Sequence, residues 1–207
     1  MGRVMRISDP KTSLIPRLRE VWEKTTCQRI SQQQGKVRPY WSEADVVSHL
    51  MSGLENDLSR GKELPALANV HEVDWHVQFS LKPNLFDGVL SKNIRKFGKD
   101  YGLKRKPDLV LNEHDNISDP FLIHGEAKVW FGGDWQPTLG MLRNDLKRLE
   151  VSNQAGVCDS AVMIVVYDPL EDSVPKGVDE RSICRELQNH QKLVALTYPT
   201  DLCKRVR

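Results

Sequence analysis

The chain has 207 residues, of which 39% are hydrophobic and 28% are charged, and its 30 Lys and Arg residues against 28 Asp and Glu residues leave a formal charge of +2. This balance excludes disorder, collagen-like repeats and a coiled coil, and a chain of this length can bury a hydrophobic core of its own. No apolar run approaches the roughly 20 residues that cross a bilayer, and residues 1–13 contain no apolar secretory segment. We therefore expect a globular protein of the cytoplasm that has no membrane partner.

The N-terminal part of the chain predicts two helices. Apolar residues recur at helical spacing from Leu14 to Ile30, and Gly35 with Pro39 ends that pattern. A second helix is expected to begin at Ser42, because Asp45 three residues later resembles a capping box and a broad apolar stripe follows. We divide the chain into an N-terminal helical extension, residues 1–40, and a single globular domain, residues 41–207.

Strand-like segments follow. Turn-rich or charged segments separate the runs Val70–Phe79, Asp108–Leu111 and Phe121–Phe131, and three strands in a row suggest an antiparallel meander. Leucines spaced by three and four residues then predict a helix. The apolar run Ala161–Tyr167 is typical of a central strand that is covered on both faces, and a helix at Asp179–Asn189 and a strand at Leu193–Tyr198 complete the chain. This order predicts an α/β sandwich in which a mixed β-sheet is flanked by helices.

The four cysteines are scattered along the chain without a close pair. This spacing favours buried thiols in a reducing compartment over a disulfide framework or a zinc site. The cysteines are Cys27, Cys158, Cys184 and Cys203.

The segment from Lys92 to Lys106 carries seven basic residues against one acidic residue, so the rest of the chain is slightly acidic. Phe97 and Tyr101 lie among these cations, and this composition suits neutralised phosphates with a base stacked nearby. The alternative is a solvated loop with no partner. The basic residues that we assign to nucleic-acid binding are Lys92, Arg95, Lys96, Lys99, Lys104, Arg105 and Lys106.

Two predicted neighbouring strands carry carboxylates. Asp108 follows Pro107 at the start of one strand, and Glu126 and Lys128 share one face of the next, because side chains alternate along a strand. If these strands pair, two carboxylates and a backbone carbonyl can hold Mg²⁺ or Mn²⁺, and Lys128 can orient or deprotonate a water molecule. The alternative is an ordinary salt bridge between Glu126 and Lys128 or a neighbour.

Glu43 adds a third acidic residue. It heads the apolar stripe of the second helix, and a carboxylate that faces the core needs a partner. The alternative is an acidic residue in the first turn that the helix dipole stabilises.

Three short motifs together resemble the PD-(D/E)XK nuclease superfamily: Trp41-Ser42-Glu43, Lys106-Pro107-Asp108 and His124-Gly125-Glu126-Ala127-Lys128. The resemblance implies a restriction-endonuclease-like fold with the core order αβββαβ. It also implies that Asp108, Glu126 and the carbonyl of Ala127 hold Mg²⁺ or Mn²⁺, that Lys128 is the catalytic lysine and that Glu43 is an auxiliary acid. The implied activity is metal-dependent hydrolysis of phosphodiester bonds in DNA, with 5′-phosphate products.

Residues near these motifs have competing interpretations. Asp145 and Lys147 lie on the helix after the Glu126 strand, where some members of the superfamily carry polar site residues, but the Gln-x-x-x-Tyr form of that motif is absent and we interpret both as structural or surface residues. Glu72 and Asp74 could add a metal ligand, although strand pairing explains them equally well.

Other catalytic classes fit poorly. His124-Gly125-Glu126 matches the opening of a zinc deaminase signature, but no Pro-Cys-x-x-Cys follows, so we interpret His124 as a packed or hydrogen-bonded residue. The chain also has no phosphate-binding P-loop and no Gly-x-Ser-x-Gly motif. The remaining alternative is a catalytically inactive module of the same fold that serves DNA binding or protein assembly. Because no separate target-recognition domain is evident, a homodimer or a partner protein could supply specificity.

Overall fold

A computed structural model describes residues 10–33, 42–59, 73–77, 88–101, 106–113, 120–131, 136–169 and 174–204. Within them lie six α-helices and five strands. The helices are α1 (Pro10–Val21), α2 (Cys27–Gln33), α3 (Glu43–Ser59), α4 (Gly88–Tyr101), α5 (Leu139–Gln154) and α6 (Glu180–Asn189). The strands are β1 (Val73–Val77), β2 (Leu109–Glu113), β3 (Phe121–Trp130), β4 (Cys158–Tyr167) and β5 (Val194–Tyr198).

The five strands form one mixed sheet in the order β1-β2-β3-β4-β5. The pairs β1/β2 and β2/β3 are antiparallel, and the pairs β3/β4 and β4/β5 are parallel. The antiparallel pairing of the first three strands is therefore confirmed. The parallel pairs need crossovers, which α5 and α6 provide.

Helices cover both faces of this sheet. Along β4, Val162, Ile164 and Val166 belong to one core cluster, together with apolar residues of α1, α2 and α3. The alternate residues, Met163 and Val165 among them, belong to a second cluster with residues of α4, α5 and α6. The alternation of side chains along a strand places these clusters on opposite faces. The predicted α/β class, a mixed sheet flanked by helices, is confirmed.

The N-terminal helices belong to the first of these clusters. A π-helical turn, Trp22–Thr26, joins α1 to α2, and the indole Nε1 of Trp22 donates a hydrogen bond of 2.9 Å to the carbonyl of Thr197 in β5. Leu18 and Ile30 are fully buried. The N-terminal extension thus packs on the sheet, and its predicted boundary at residues 40 and 41 lies outside the described residues.

Helix α4 is an element that the sequence interpretation missed. It lies between β1 and β2 in the chain, so the strands do not follow one another directly. Ile94 is buried, and Asn93 Nδ2 donates a hydrogen bond of 2.5 Å to the carbonyl of Ala155 at the end of α5. The sequence does carry a helical signal here, because apolar residues recur at spacings of four, three and four: Leu90, Ile94, Phe97 and Tyr101. The loop interpretation is therefore wrong for this part of the basic segment.

The prediction of four free thiols is wrong for one pair. Cys184 of α6 and Cys203 form a disulfide with their Cα atoms 5.3 Å apart, although 19 positions separate them in sequence. The return of the chain past β5 brings them together, which their spacing cannot reveal. Cys27 and Cys158 are free and buried, as predicted.

In the part of the chain that the structure describes, none of the helices has the length and apolar character that crossing a membrane requires.

Candidate active site

The antiparallel pairing of β2 with β3 brings Asp108 to Glu126. Leu109 is paired with Gly125, so Asp108 lies one residue beyond the ladder and opposite the Glu126 end of β3. Its Oδ2 accepts a hydrogen bond of 2.8 Å from the N–H of Ala127. The carboxyl groups of Asp108 and Glu126 also lie close enough for each to change the pKa of the other. The predicted convergence of these two carboxyl groups is therefore present.

Gly125 lets the two strands approach this closely. A Cβ atom at this position would lie 3.0 Å from the Cβ and 3.2 Å from the Cδ2 of Leu109. Such contacts are shorter than van der Waals distance, so a larger residue would push β2 away from β3. Because Asp108 directly precedes Leu109, the glycine helps to set the position of the Asp108 carboxylate.

Glu126 is held at both oxygens. Its side chain is 1% exposed, Oε1 lies 3.1 Å from Nε2 of His124, and Oε2 lies 2.5 Å from Nη2 of Arg148. His124 is buried and hydrogen-bonded, as predicted. Arg148 of α5 is a site residue that the sequence interpretation missed.

Lys128 lies between two acidic residues. Its Nζ is 2.8 Å from Oε1 of Glu43, 2.6 Å from Oδ2 of Asp145 and 2.7 Å from the carbonyl oxygen of Ala127. These three contacts match the three protons of an ammonium group. Lys128 thus connects the N-terminus of α3 to α5 across β3.

Glu43 reaches this cluster from the first residue of α3. Ser42 caps the helix, since Asp45 N–H donates to Ser42 Oγ at 3.2 Å and Ser42 N–H donates to Asp45 Oδ2 at 2.8 Å. The predicted capping box is confirmed. Asp45 caps the N-terminus of the helix, and the Glu43 carboxylate pairs with Lys128. The side chain of Glu43 is 29% exposed.

Helix α5 supplies the other members of the cluster. Asp145 is buried and bridges Lys128 and Arg148, with 2.9 Å between Oδ1 and the Nη2 of Arg148. Lys147 is exposed, as expected for a surface residue, whereas Asp145 is not on the surface. Asp145, Arg148 and Ser152 follow one another by three and four residues, so they share a helix face that points at β3. That polar spacing was the signal available in the sequence.

The cluster contains more acid than base. Four carboxyl groups, those of Glu43, Asp108, Glu126 and Asp145, surround two cations, Lys128 and Arg148. Full ionisation would leave an excess of two negative charges in a poorly hydrated place, which is costly.

The pKa values of Asp108 and Glu126 reflect burial and this excess of negative charge. Burial, followed by the repulsion of Glu126, raises the pKa of Asp108 to about 7. Burial also raises the pKa of Glu126 to about 7, although Arg148 opposes the change. Both pKa values lie near 7, so the pair resists the loss of its last proton near neutral pH.

The bases of the site have defined charge states. Burial lowers the pKa of Lys128 most, but the carboxylates of Asp145 and Glu43 outweigh it, so that pKa lies above its ordinary value and the ammonium stays charged. Burial and then the charge of Arg148 lower the pKa of His124 to about 3, so its ring is neutral.

The donor set fits a hard divalent cation in chemistry and in charge. Two neighbouring carboxyl groups beside a backbone carbonyl are ligands that Mg²⁺ and Mn²⁺ accept, and such an ion would balance the excess of two negative charges. In the arrangement described, Arg148 lies on Oε2 of Glu126 and Lys128 lies on the carbonyl of Ala127. Among the described residues, no group of three or more His, Cys, Asp or Glu side chains is spaced as a ready metal site.

The predicted nucleic-acid residues lie mainly on α4. Lys92, Arg95, Lys96 and Lys99 are all exposed and follow the helical spacing of three, four and seven residues, so they form one cationic face, which we name the α4 stripe. Lys106 is exposed two residues before Asp108. The last two predicted nucleic-acid-binding residues, Lys104 and Arg105, lie outside the described residues, as do Glu72 and the predicted strand residues on either side of β1.

Comparisons of the chain with protein-family models, with curated proteins and with solved structures find no match.

Proposed function

We propose that this protein is a metal-dependent nuclease of restriction-endonuclease-like fold that hydrolyses phosphodiester bonds in DNA. One observation carries the proposal: Asp108, Glu126, Lys128 and Glu43, which are 85 positions apart at the extremes, form one buried polar cluster. The order α3, β1, β2, β3, α5, β4 also contains the core order αβββαβ once α4 is treated as an insertion.

Asp108, Glu126 and the Ala127 carbonyl are the groups that would hold Mg²⁺ or Mn²⁺. When bound, such an ion supplies Lewis-acid stabilisation of the phosphate and lowers the pKa of bound water. The protein's own contribution is to present two neighbouring carboxyl groups, with their orientation set by Ala127, His124 and Arg148.

Lys128 supports the reaction as a cation. Because Glu43 and Asp145 keep its ammonium charged, it can orient a nucleophile and stabilise negative charge on the phosphate, and it is a poor base. Of the two roles predicted for Lys128, to orient a water molecule or to deprotonate it, we therefore propose the first. Glu43 is the partly exposed end of the cluster, so it faces the direction from which solvent and substrate reach Lys128.

The α4 stripe supports DNA as the substrate. Four exposed cations on about two turns of helix form a surface that phosphates can approach, and the opposite side of the helix is anchored by Ile94 and Asn93. The chain from α4 leads through Lys106 directly to Asp108, which links the stripe to the cluster.

Incubation with a panel of substrates tests the activity. Supercoiled plasmid and labelled single-stranded, double-stranded and branched DNA and RNA oligonucleotides are incubated with Mg²⁺ or Mn²⁺, and the product ends are mapped. We expect cleavage of DNA with 5′-phosphate products. Asp108→Ala, Glu126→Ala and Lys128→Ala should each abolish cleavage while circular dichroism shows a folded protein. Retained metal-dependent cleavage in all three variants would refute the assignment.

An inactive module of the same fold is the second candidate. It is favoured by the cations that already lie on the proposed metal-binding atoms of Glu126 and Ala127. Calorimetric titration with Mn²⁺ separates the two candidates. Binding that is lost in Glu126→Gln supports the enzyme, whereas no heat at millimolar Mn²⁺ supports the module.

A further inference from the structure

A hydrogen-bonded row of side chains extends from Glu126 to the start of β4. His124 Nε2 lies 3.1 Å from Oε1 of Glu126, and its Nδ1 lies 2.7 Å from Oγ of Ser152. Ser152 Oγ in turn lies 3.6 Å from Sγ of Cys158. The members come from β3, α5 and β4, and His124 and Ser152 are fully buried.

The donors and acceptors of this row have one consistent direction. An ionised Glu126 can only accept, so Nε2 of the neutral His124 ring carries the proton and Nδ1 is an acceptor. Ser152 must then donate its hydroxyl hydrogen to Nδ1, and its oxygen is left to accept from the Cys158 thiol. These roles give every atom of the row a partner, with His124 as the donor to Glu126 and Ser152 as the donor to His124.

Packing alone does not account for the row. The apolar cluster on this face of the sheet includes Phe121, Leu149 and Ala161. Burying an imidazole and a hydroxyl there brings a desolvation cost that an apolar pair of similar size would avoid. The polar groups are all satisfied, and they end on a single atom, Oε1 of Glu126.

We propose that His124 and Ser152 are positioning residues that hold the Glu126 carboxylate in the orientation needed to bind a divalent cation. The inference rests on the proposed function and deepens it. With Oε1 held by the imidazole N–H and Oε2 by Arg148, the carboxylate cannot rotate freely, and its oxygens keep their places beside Asp108.

Mn²⁺ affinity, measured by calorimetry on the full chain, tests this role without relying on activity. His124→Leu removes both hydrogen bonds and should weaken Mn²⁺ binding by about 10- to 100-fold. His124→Gln keeps an N–H donor near the Nε2 position, and it should restore the affinity to within about threefold of the parent. Ser152→Ala removes the hydrogen bond that holds Nδ1 of His124 and should weaken binding by about 3- to 10-fold.

Asn153→Ala is the matched control. Asn153 neighbours Ser152 on α5 and donates to the backbone carbonyls of Cys158 at 3.4 Å and Asp159 at 3.0 Å, but it lies outside the row. We expect this variant to lose thermal stability and keep its Mn²⁺ affinity.

The outcomes are distinct. Unchanged Mn²⁺ affinity in His124→Leu overturns the positioning role and leaves the nuclease proposal standing. If that variant does not fold, unchanged affinity in Ser152→Ala overturns it, as does failure of His124→Gln to restore binding. A parent protein that binds no Mn²⁺ overturns both proposals.

Discussion

Replacing Asp108 by Asn should stabilise the protein in the absence of metal. Burial and the repulsion of Glu126 oppose the ionisation of this carboxyl group, and they raise its pKa to about 7. Asn keeps an oxygen that can accept the hydrogen bond from Ala127, and its amide has no charge for Glu126 to repel. The substitution therefore removes the charge while keeping the hydrogen bond to the backbone.

The size of the effect follows from the pKa difference. A shift from 3.8 to about 7 is equivalent to about 4 kcal/mol at about 1.4 kcal/mol per pKa unit, which is an upper limit for the ionised group. Asp108 is partly exposed, and hydration and relaxation reduce the cost, so we expect roughly 1–2 kcal/mol. The unfolded chain releases this proton near pH 4 and the folded chain near pH 7. The parent therefore loses stability across that interval, and the gain in Asp108→Asn appears at pH 8 and is absent at pH 4.

Urea unfolding in the presence of a chelator, at pH 4 and pH 8, measures this difference. Asp159→Asn is the control, because it removes the same charge from an exposed position on β4. Equal stability of Asp108→Asn and the parent at pH 8, or a gain of the same size at pH 4, would show that the Asp108 carboxylate is not strained by its neighbours.

Three further predictions concern the rest of the site and the surface. Lys128→Met leaves Glu43 and Asp145 without their shared cation and should lower the free energy of unfolding by about 3 kcal/mol at pH 8. Urea titration measures this loss, which the replacement of an exposed lysine would not cause. Gly125→Ala should cost about 1–3 kcal/mol through the 3.0 Å approach to Leu109 and should reduce cleavage by displacing Asp108; an unchanged melting temperature would contradict it. Replacing the four cations of the α4 stripe by Gln should flatten the dependence of log Kd for DNA on log salt by about one unit for each phosphate that the stripe neutralises, while a slope equal to that of the parent would place the DNA elsewhere.

The fold could be predicted from the sequence wherever one residue pattern decides the local structure. The capping box at Ser42 and the apolar run of β4 are local signals, and both elements occur where they are expected. Helix α4 also has a local signal, since Leu90, Ile94, Phe97 and Tyr101 recur at helical spacing, but the sequence interpretation considered only the cations between them. The disulfide, by contrast, depends on how α6 and the segment after β5 are placed in space.

In the candidate site, the sequence predicts the positions of the residues on the strand but not of those on the helix. The alternation of β3 correctly places Glu126 and Lys128 on one face, because a strand has only two faces. On α5 the leucine stripe fixes the buried side, but whether Asp145 and Arg148 beside that stripe reach β3 depends on the rotation and distance of the helix, which sequence does not specify.

The two missed residues nevertheless leave the electrostatic argument unchanged. The residues predicted from sequence, three acids and one lysine, have a net charge of −2 when ionised, and Asp145 with Arg148 adds one charge of each sign. The structure thus alters which atoms touch and leaves the same deficit of positive charge. Arg148 contacts Glu126 directly, but it contacts the added acid Asp145 as well, so the excess of two negative charges in the cluster remains. The close approach of Asp108 to Glu126 therefore requires either a proton or an added cation, and which of the two it takes at neutral pH separates the two candidate functions.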